Sequence, residues 1–299
     1  MLTVTYNPVH AQGAYPQQAL QNALEDLART VNGEVGIYVK HLKTGQDWAI
    51  QADTLFPSAS IVKVPILIGV FDKIVRGELA YDSVMTYDPT SVKYPYEDDG
   101  IVASLKDSAQ IALNKLMMLM ITTSDNTASI WLQDIVTGQR INRLMEEHGY
   151  QQVRVNSRTP GREATRERYG WGQLTPREIT QLFIDVYQGK VISREVSEEI
   201  YRNLTRIYYD GEALAFIPPW VQAASKQGAV NQSRSEVVLV NAPSGDYAFC
   251  VVTKRQQDTS WNYENQGYEL IRKVSRLLWQ TFEPNHPWQQ PSYETKKWW

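Results

Sequence analysis

The sequence predicts an α+β protein: an antiparallel sheet formed by the N- and C-terminal segments and flanked by helices, with an all-helical subdomain inserted in the middle. Three observations predict it. Strand-like alternation of apolar residues is concentrated near the two ends of the chain, over residues 35–50 and 236–253. Residues 100–200 carry helical periodicity almost throughout. Amphipathic helical stripes bracket the strand-like stretches, at about 17–30 and 268–282.

In chain order, residues 1–16 are polar and irregular, after which Leu20, Leu24 and Leu27 fall at i, i+4 and i+7 and predict a helix over about 17–30. Val35, Ile37 and Val39 alternate on one face of a strand, Lys43-Thr44-Gly45-Gln46 supplies a turn, and Trp48 and Ile50 follow as the return strand of a hairpin. From Ser60 to about Val75 apolar residues run nearly all round the helical wheel, which marks a buried helix and tolerates Pro65 near its first turn. Further helices are predicted over 113–122, 127–136, 139–148, with Gly149 as a stop, and 176–188. Val153-Arg154-Val155 is a lone short alternation among them. Strands return at 236–240 and 247–253 across a turn at 241–246, and the last helix follows. The tail beyond Phe282, with Pro284, Pro287, Pro291 and three Trp, reads as a surface-hugging or partly mobile extension. The expected organisation is a sheet subdomain of residues 1–57 and 205–299 and a helical subdomain of residues 58–204, with the site at their junction.

Composition removes several classes of function. Lys and Arg total 30 against 33 Asp and Glu, so a chain of net charge −3 has no basic surplus to neutralise phosphates, and nucleic acid is not an expected partner. An apolar fraction of 42% over 299 residues is enough for a sizeable core. Cys250 has no second cysteine to pair with and lies in the apolar run 247–252, as a buried inert thiol would. His10, His41, His148 and His286 are scattered singly, so no metal site and no cofactor are expected. The N-terminus lacks a basic stretch followed by an apolar one, and no uncharged apolar run reaches the roughly 18 residues that span a bilayer. The sequence reads as soluble, leaderless and monomeric, with its compartment left open.

Three short motifs carry chemistry. Ser60 and Lys63 are spaced so that hydroxyl and amine share one helix face, and Lys63 sits among Val62, Val64, Ile66 and Leu67, where a lysine needs a reason. Ser124-Asp125-Asn126 falls at a break between two predicted helices and is made of residue types that also cap helices. Lys226-Gln227-Gly228 precedes the late strands, where a lysine can also serve as an edge-strand charge.

Together they resemble the S-x-x-K, S-D-N and K-[ST]-G set of the penicillin-recognising serine hydrolases, above all the class A β-lactamases. The intervals of 64 and 102 residues between the motifs suit that family, and the likeness spans about residues 17–282. Ser124 to Ala128 reads SDNTA, and Leu174-Thr175-Pro176 looks like the opening of the helix after the family's omega-shaped loop. Lys43-Thr44-Gly45 is a decoy, because it precedes the serine and lies in a turn.

The resemblance implies a small-molecule β-lactam or peptidoglycan-like substrate. Ser60 would attack the amide carbonyl to give an acyl-enzyme, with an uncharged Lys63 as base. Burial and the nearby charge of Lys226 would both press the Lys63 pKa down. Ser124 would relay a proton to the leaving nitrogen, and the backbone N–H groups of Ser60 and Ala229 would hold the oxyanion. Asn126, Lys226, Gln227, Gly228 and Arg234 would bind substrate.

Two departures stand out. Gln227 replaces the family's hydroxyl residue, and no E-x-x-L-N pattern occurs between Asn156 and Pro176. Glu163 is the first choice for the hydrolytic base, with Glu167, or neither, as the alternatives. A D,D-peptidase or esterase relative with the same acylation chemistry, and a non-catalytic cell-wall or protein binding module on the same fold, are the competing functions.

Overall fold

Residues 15–92, 94 and 100–289 are described by the structure, a computed structural model. Residues 1–14, and Pro291 and the last two Trp of the tail, lie outside the described residues.

Helix α1 (Gln17–Ala28) leads into the hairpin of β1 (Glu34–His41) and β2 (Asp47–Ile50), and a two-residue β3 (Phe56–Pro57) follows. The expected helix at Ser60 is divided. A 3-10 turn (Ala59–Val62) carries the serine, and α2 (Lys63–Val75) begins at the lysine. Pro65 is therefore the third residue of α2, where its missing N–H has no intrahelical acceptor to lose. Ten consecutive residues of α2, Lys63 to Asp72, are buried.

The central block runs through the small hairpin β4 (Val84–Thr86) and β5 (Gln110–Ala112), then α3 (Leu113–Thr122), α4 (Asn126–Val136) and α5 (Gly138–Glu147). It continues with β6 (Arg154–Val155), α6 (Glu163–Tyr169), β7 (Gly172–Leu174), α7 (Pro176–Tyr187) and α8 (Arg194–Leu204). Of these, α6, α8, β7 and the β4–β5 hairpin were not anticipated from the sequence pattern. The chain closes with β8 (Ala223–Val230), β9 (Ser233–Val240), β10 (Tyr247–Lys254) and α9 (Gln266–Phe282).

The five-stranded sheet has the order β2-β1-β10-β9-β8 and is antiparallel. Its centre joins the two ends of the sequence, with β1 on β10 from Glu34↔Lys254 to His41↔Tyr247. Both faces are covered. Val237, Leu239, Ala248, Cys250 and Val252 pack into the core of the helical block, whereas Val238, Val240, Phe249 and Val251 pack against Leu20 and Leu24 of α1 and Leu270, Val274 and Leu278 of α9. That double cover explains why β9 is buried along its whole length, polar residues included, and begins at Ser233 rather than at Glu236. Burial drives the Cys250 thiol well above its ordinary range.

Phe282 closes the face under α9, with its ring 4.8 Å from Tyr15, 4.9 Å from His41, 4.9 Å from Tyr247 and 5.7 Å from Trp48 between centroids. The tail then lies along the surface as far as it is described: Trp288 meets Trp220 edge-on at 5.2 Å and its indole N–H donates to the Ala215 carbonyl at 3.3 Å. Among the described residues no helix is long and apolar enough to cross a membrane. Phe282→Ala is expected to cost about 3–5 kcal/mol, read as a lowered midpoint with unchanged slope in urea unfolding.

Candidate active site

The serine is placed by backbone. β3 pairs with β7 through Phe56↔Leu174 and Pro57↔Gln173, and the Ser58 N–H donates to the Gly172 carbonyl at 2.9 Å. Ala59 then adopts φ +44°, a left-handed conformation that costs energy in a residue with a Cβ and turns the chain into the 3-10 segment bearing Ser60. Two glycines let neighbouring strands close on this turn. A Cβ at Gly172 would stand 2.6 Å from Ser58 Oγ, and one at Gly228 would stand 2.8 Å from the Ser58 carbonyl oxygen.

Ser124 is likewise held at positive φ, +57°, in the α3–α4 turn. Asp125 fixes the turn rather than facing the serine: it is buried and caps α4, one carboxylate oxygen accepting from Ala128 N at 2.8 Å and the other from Val102 N at 2.9 Å. Thr175 caps α7 and Pro176 is that helix's first residue.

Two fully buried lysines converge on this turn. Lys63 Nζ donates to the Ser124 carbonyl, to Ser124 Oγ at 3.0 Å and to Asn126 Oδ1 at 2.8 Å. Lys226 Nζ, arriving from the edge strand β8, also lies 3.0 Å from Ser124 Oγ and donates to the Gln227 carbonyl at 3.1 Å. The Gln227 side-chain oxygen is 3.4 Å from the same ammonium. Half-buried Ser60 is three residues before Lys63, and Ala229 follows the Gly228 that touches its turn. One hydroxyl between two amines is a proton relay in outline.

Two residues of the surroundings were not picked out from sequence. Glu236, on β9, is buried with one oxygen accepting from Ser225 Oγ at 2.5 Å and the other from Ala213 N at 2.9 Å, beside the strand that carries Lys226. A lone carboxylate directly before the apolar run 237–240 is the available signal. Trp171, just before β7, lies with its ring centroid 5.6 Å from Lys63 Nζ. A single loop aromatic leaves no pattern to read.

Arg234 does not join the set. Side chains alternate across a strand, and with Gly228 opposite Ser235, the serine faces the Ser58 turn while Arg234 points to α9. It is fully buried there, donating to the carbonyls of Val230 at 2.6 Å and Ser260 at 2.5 Å and stacking on Trp261 and Tyr268. Glu163 stands exposed in the first turn of α6, its carboxylate accepting from Gly161 N at 3.1 Å, and Glu167 is exposed on the same helix. Arg162 of this loop is partly buried and donates to Asn156 Oδ1 at 2.8 Å and Gln173 Oε1 at 3.0 Å. Among the described residues no cluster of His, Cys, Asp and Glu could hold a metal ion.

A profile of the Beta-lactamase enzyme family matches residues 18–282. The chain belongs to that family. Among solved structures it is similar to PBP-A, at 25% identity with a TM-score of 0.77, over 91% of this chain and all of that one. It is also similar to a point mutant of PBP-A solved as an acyl-enzyme complex with penicillin G, at 26% identity, a TM-score of 0.77, and 89% and 97% coverage. A beta-lactamase from Sphaerobacter thermophilus, 22% identical over 90% of this chain and 99% of its own, shares the fold with a TM-score of 0.78. Among curated proteins, Beta-lactamase VEB-1 of Pseudomonas aeruginosa is 18% identical over 86% of this chain and 88% of its own. The Beta-lactamase regulatory protein BlaB of Streptomyces cacaoi is 27% identical over 117 residues, and there the match spans 37% of that protein's length and 39% of this chain.

In this beta-lactamase-family chain the charge on Lys226 depends on pH. Burial brings its pKa down from 10.5 to about 7, against the opposing pull of Glu236, whose own pKa burial raises to about 7. Between pH 7 and 10.5 the folded chain therefore binds fewer protons at Lys226 than the unfolded chain does. Stability from this group is present above 10.5 and is lost as pH falls through about 7. The parent is expected to gain on Lys226→Met as pH rises from about 6 to about 9.5 in urea unfolding, and a pH-independent difference would contradict the assignment.

Proposed function

We propose that the protein is a serine acyl-enzyme former of the β-lactamase type, in which Ser60 opens a β-lactam ring and retains the acyl group. The observation that carries this is the position of Ser124 Oγ, 3.0 Å from both Lys63 Nζ and Lys226 Nζ. The PBP-A variant bound to penicillin G is an acyl-enzyme, and the same kind of adduct is proposed here.

Ser60 Oγ bonds to the ring carbonyl carbon while Lys63, in its uncharged form, takes the hydroxyl proton. Collapse of the tetrahedral intermediate breaks the carbon–nitrogen bond, and the proton passes through Ser124 Oγ to the ring nitrogen. The N–H groups of Ser60 and Ala229 stabilise the oxyanion. Asn126 hydrogen-bonds the substrate's side-chain amide. Lys226, while charged, and Gln227, with an amide in place of a hydroxyl, hold the substrate carboxylate on the strand that Gly228 brings close. The pocket falls at the junction of the sheet subdomain, 1–57 and 205–299, with the helical subdomain, 58–204.

Exposed Glu163 and Glu167 favour slow release of the acyl group, which aligns the chain with a D,D-peptidase-like or penicillin-binding activity more than with rapid turnover. Incubation with a chromogenic cephalosporin, followed by intact-protein mass spectrometry, is expected to show one adduct on Ser60 and little sustained hydrolysis. Ser60→Ala should abolish labelling with the melting temperature retained, and Lys63→Met should slow acylation by about 10²-fold or more. Absence of any adduct on the parent chain would refute the proposal, and fast sustained hydrolysis would restore a loop carboxylate as base.

A further inference from the structure

We propose that Trp171 sets the lifetime of the Ser60 acyl-enzyme by holding an apolar ring beside Lys63; this rests on the acylation proposed above. The ring is fixed from several directions. Its indole N–H donates to Gln133 Oε1 at 2.8 Å, and Gln133, itself buried, is anchored through Nε2 to the Ser157 carbonyl at 2.5 Å. The Trp171 carbonyl accepts from Asn156 N at 2.8 Å and Ser157 N at 2.9 Å. The next residue, Gly172, is clamped under Ser58, and Tyr94 stacks on the indole at 6.0 Å.

The Ser124 and Asn126 oxygens that accept from Lys63 belong to the α3–α4 turn and the first residue of α4. The ring reaches the same amine from the segment leading into β7. Hydrolysis of the acyl-enzyme adds one water across the ester: the hydroxyl joins the acyl carbon, the ester carbon–oxygen bond breaks, and the remaining proton ends on Ser60 Oγ. That water needs space next to the ester and a lone pair to accept its proton. An aromatic face fills the space beside Lys63 and offers no such lone pair, so water is displaced from the flank where activation would occur. The carboxylates of α6 do not compensate, because Glu163 is exposed and bonded to its own loop.

The test uses the full chain with benzylpenicillin, following acylation and loss of the adduct separately by intact-protein mass spectrometry. Trp171→Ala is expected to shorten the adduct half-life by about tenfold or more while the acylation rate constant stays within about threefold. Gln133→Leu, which removes the indole's anchor and leaves the ring, should shorten it by a smaller factor. An unchanged half-life in Trp171→Ala overturns the proposal, as does slowing of acylation and release by the same factor, the mark of a damaged fold. If Trp171→Ala shows no cooperative melting, Gln133→Leu decides, and an unchanged half-life there overturns it. A parent chain that forms no adduct refutes the acylation itself, which is a separate result from a parent adduct whose lifetime ignores Trp171.

Discussion

Two lysine amines out of contact with solvent, both within 3.0 Å of one serine hydroxyl, are expensive to bring together. Much of the local architecture can be understood as meeting that cost. Carbonyl and amide oxygens of Ser124, Asn126 and Gln227 surround the two amines, and Glu236 places a carboxylate behind the strand that delivers Lys226. Burial brings the Lys226 pKa down to about 7, so that its charge is partly relinquished near neutrality.

Two of the non-glycine residues at positive φ lie at the same place. Ala59 and Ser124 both take positive φ without being glycine, one just before Ser60 and the other at the shared hydroxyl. Each is overdetermined by its surroundings: the β3–β7 pairing and the two close-packed glycines at the first, the doubly bonded Asp125 at the second. Rigid support of this sort keeps polar groups aimed without relying on flexible loops.

The sheet formed from both chain ends was legible because β1, β9 and β10 carry dense β-branched runs. Ser124, Asn126, Lys63 and Lys226, which lie together, were legible because each sits in a short local motif. What was lost depended on information absent from local sequence. Whether Arg234 faces Lys226 or α9 is decided by the β8–β9 register, where a shift of one residue exchanges the faces. Glu163 was singled out as a carboxylate in the right interval, but α6 turns it to solvent. The edge strand β8, rich in small residues, gives no alternation, and its lysine was read as lying before the strands rather than within one. Helix α8 is a different case, since Val196, Ile200 and Leu204 recur every four residues behind the capping Ser193.

The pairing of Glu34 with Lys254 has a consequence for how the chain is made. Synthesis proceeds from the N-terminus, so the first hairpin emerges long before the strand it must lie against, and its inner edge waits while more than two hundred residues are added. The helix bearing Lys63 and the two helices flanking the Ser124 turn can gather during that interval, but the sheet beneath them is completed late. Such distant partners make for slow, late closure, and a nascent chain interrupted ahead of β10 lacks the strand that joins the first hairpin to β9 and, through it, to the strand bearing Lys226.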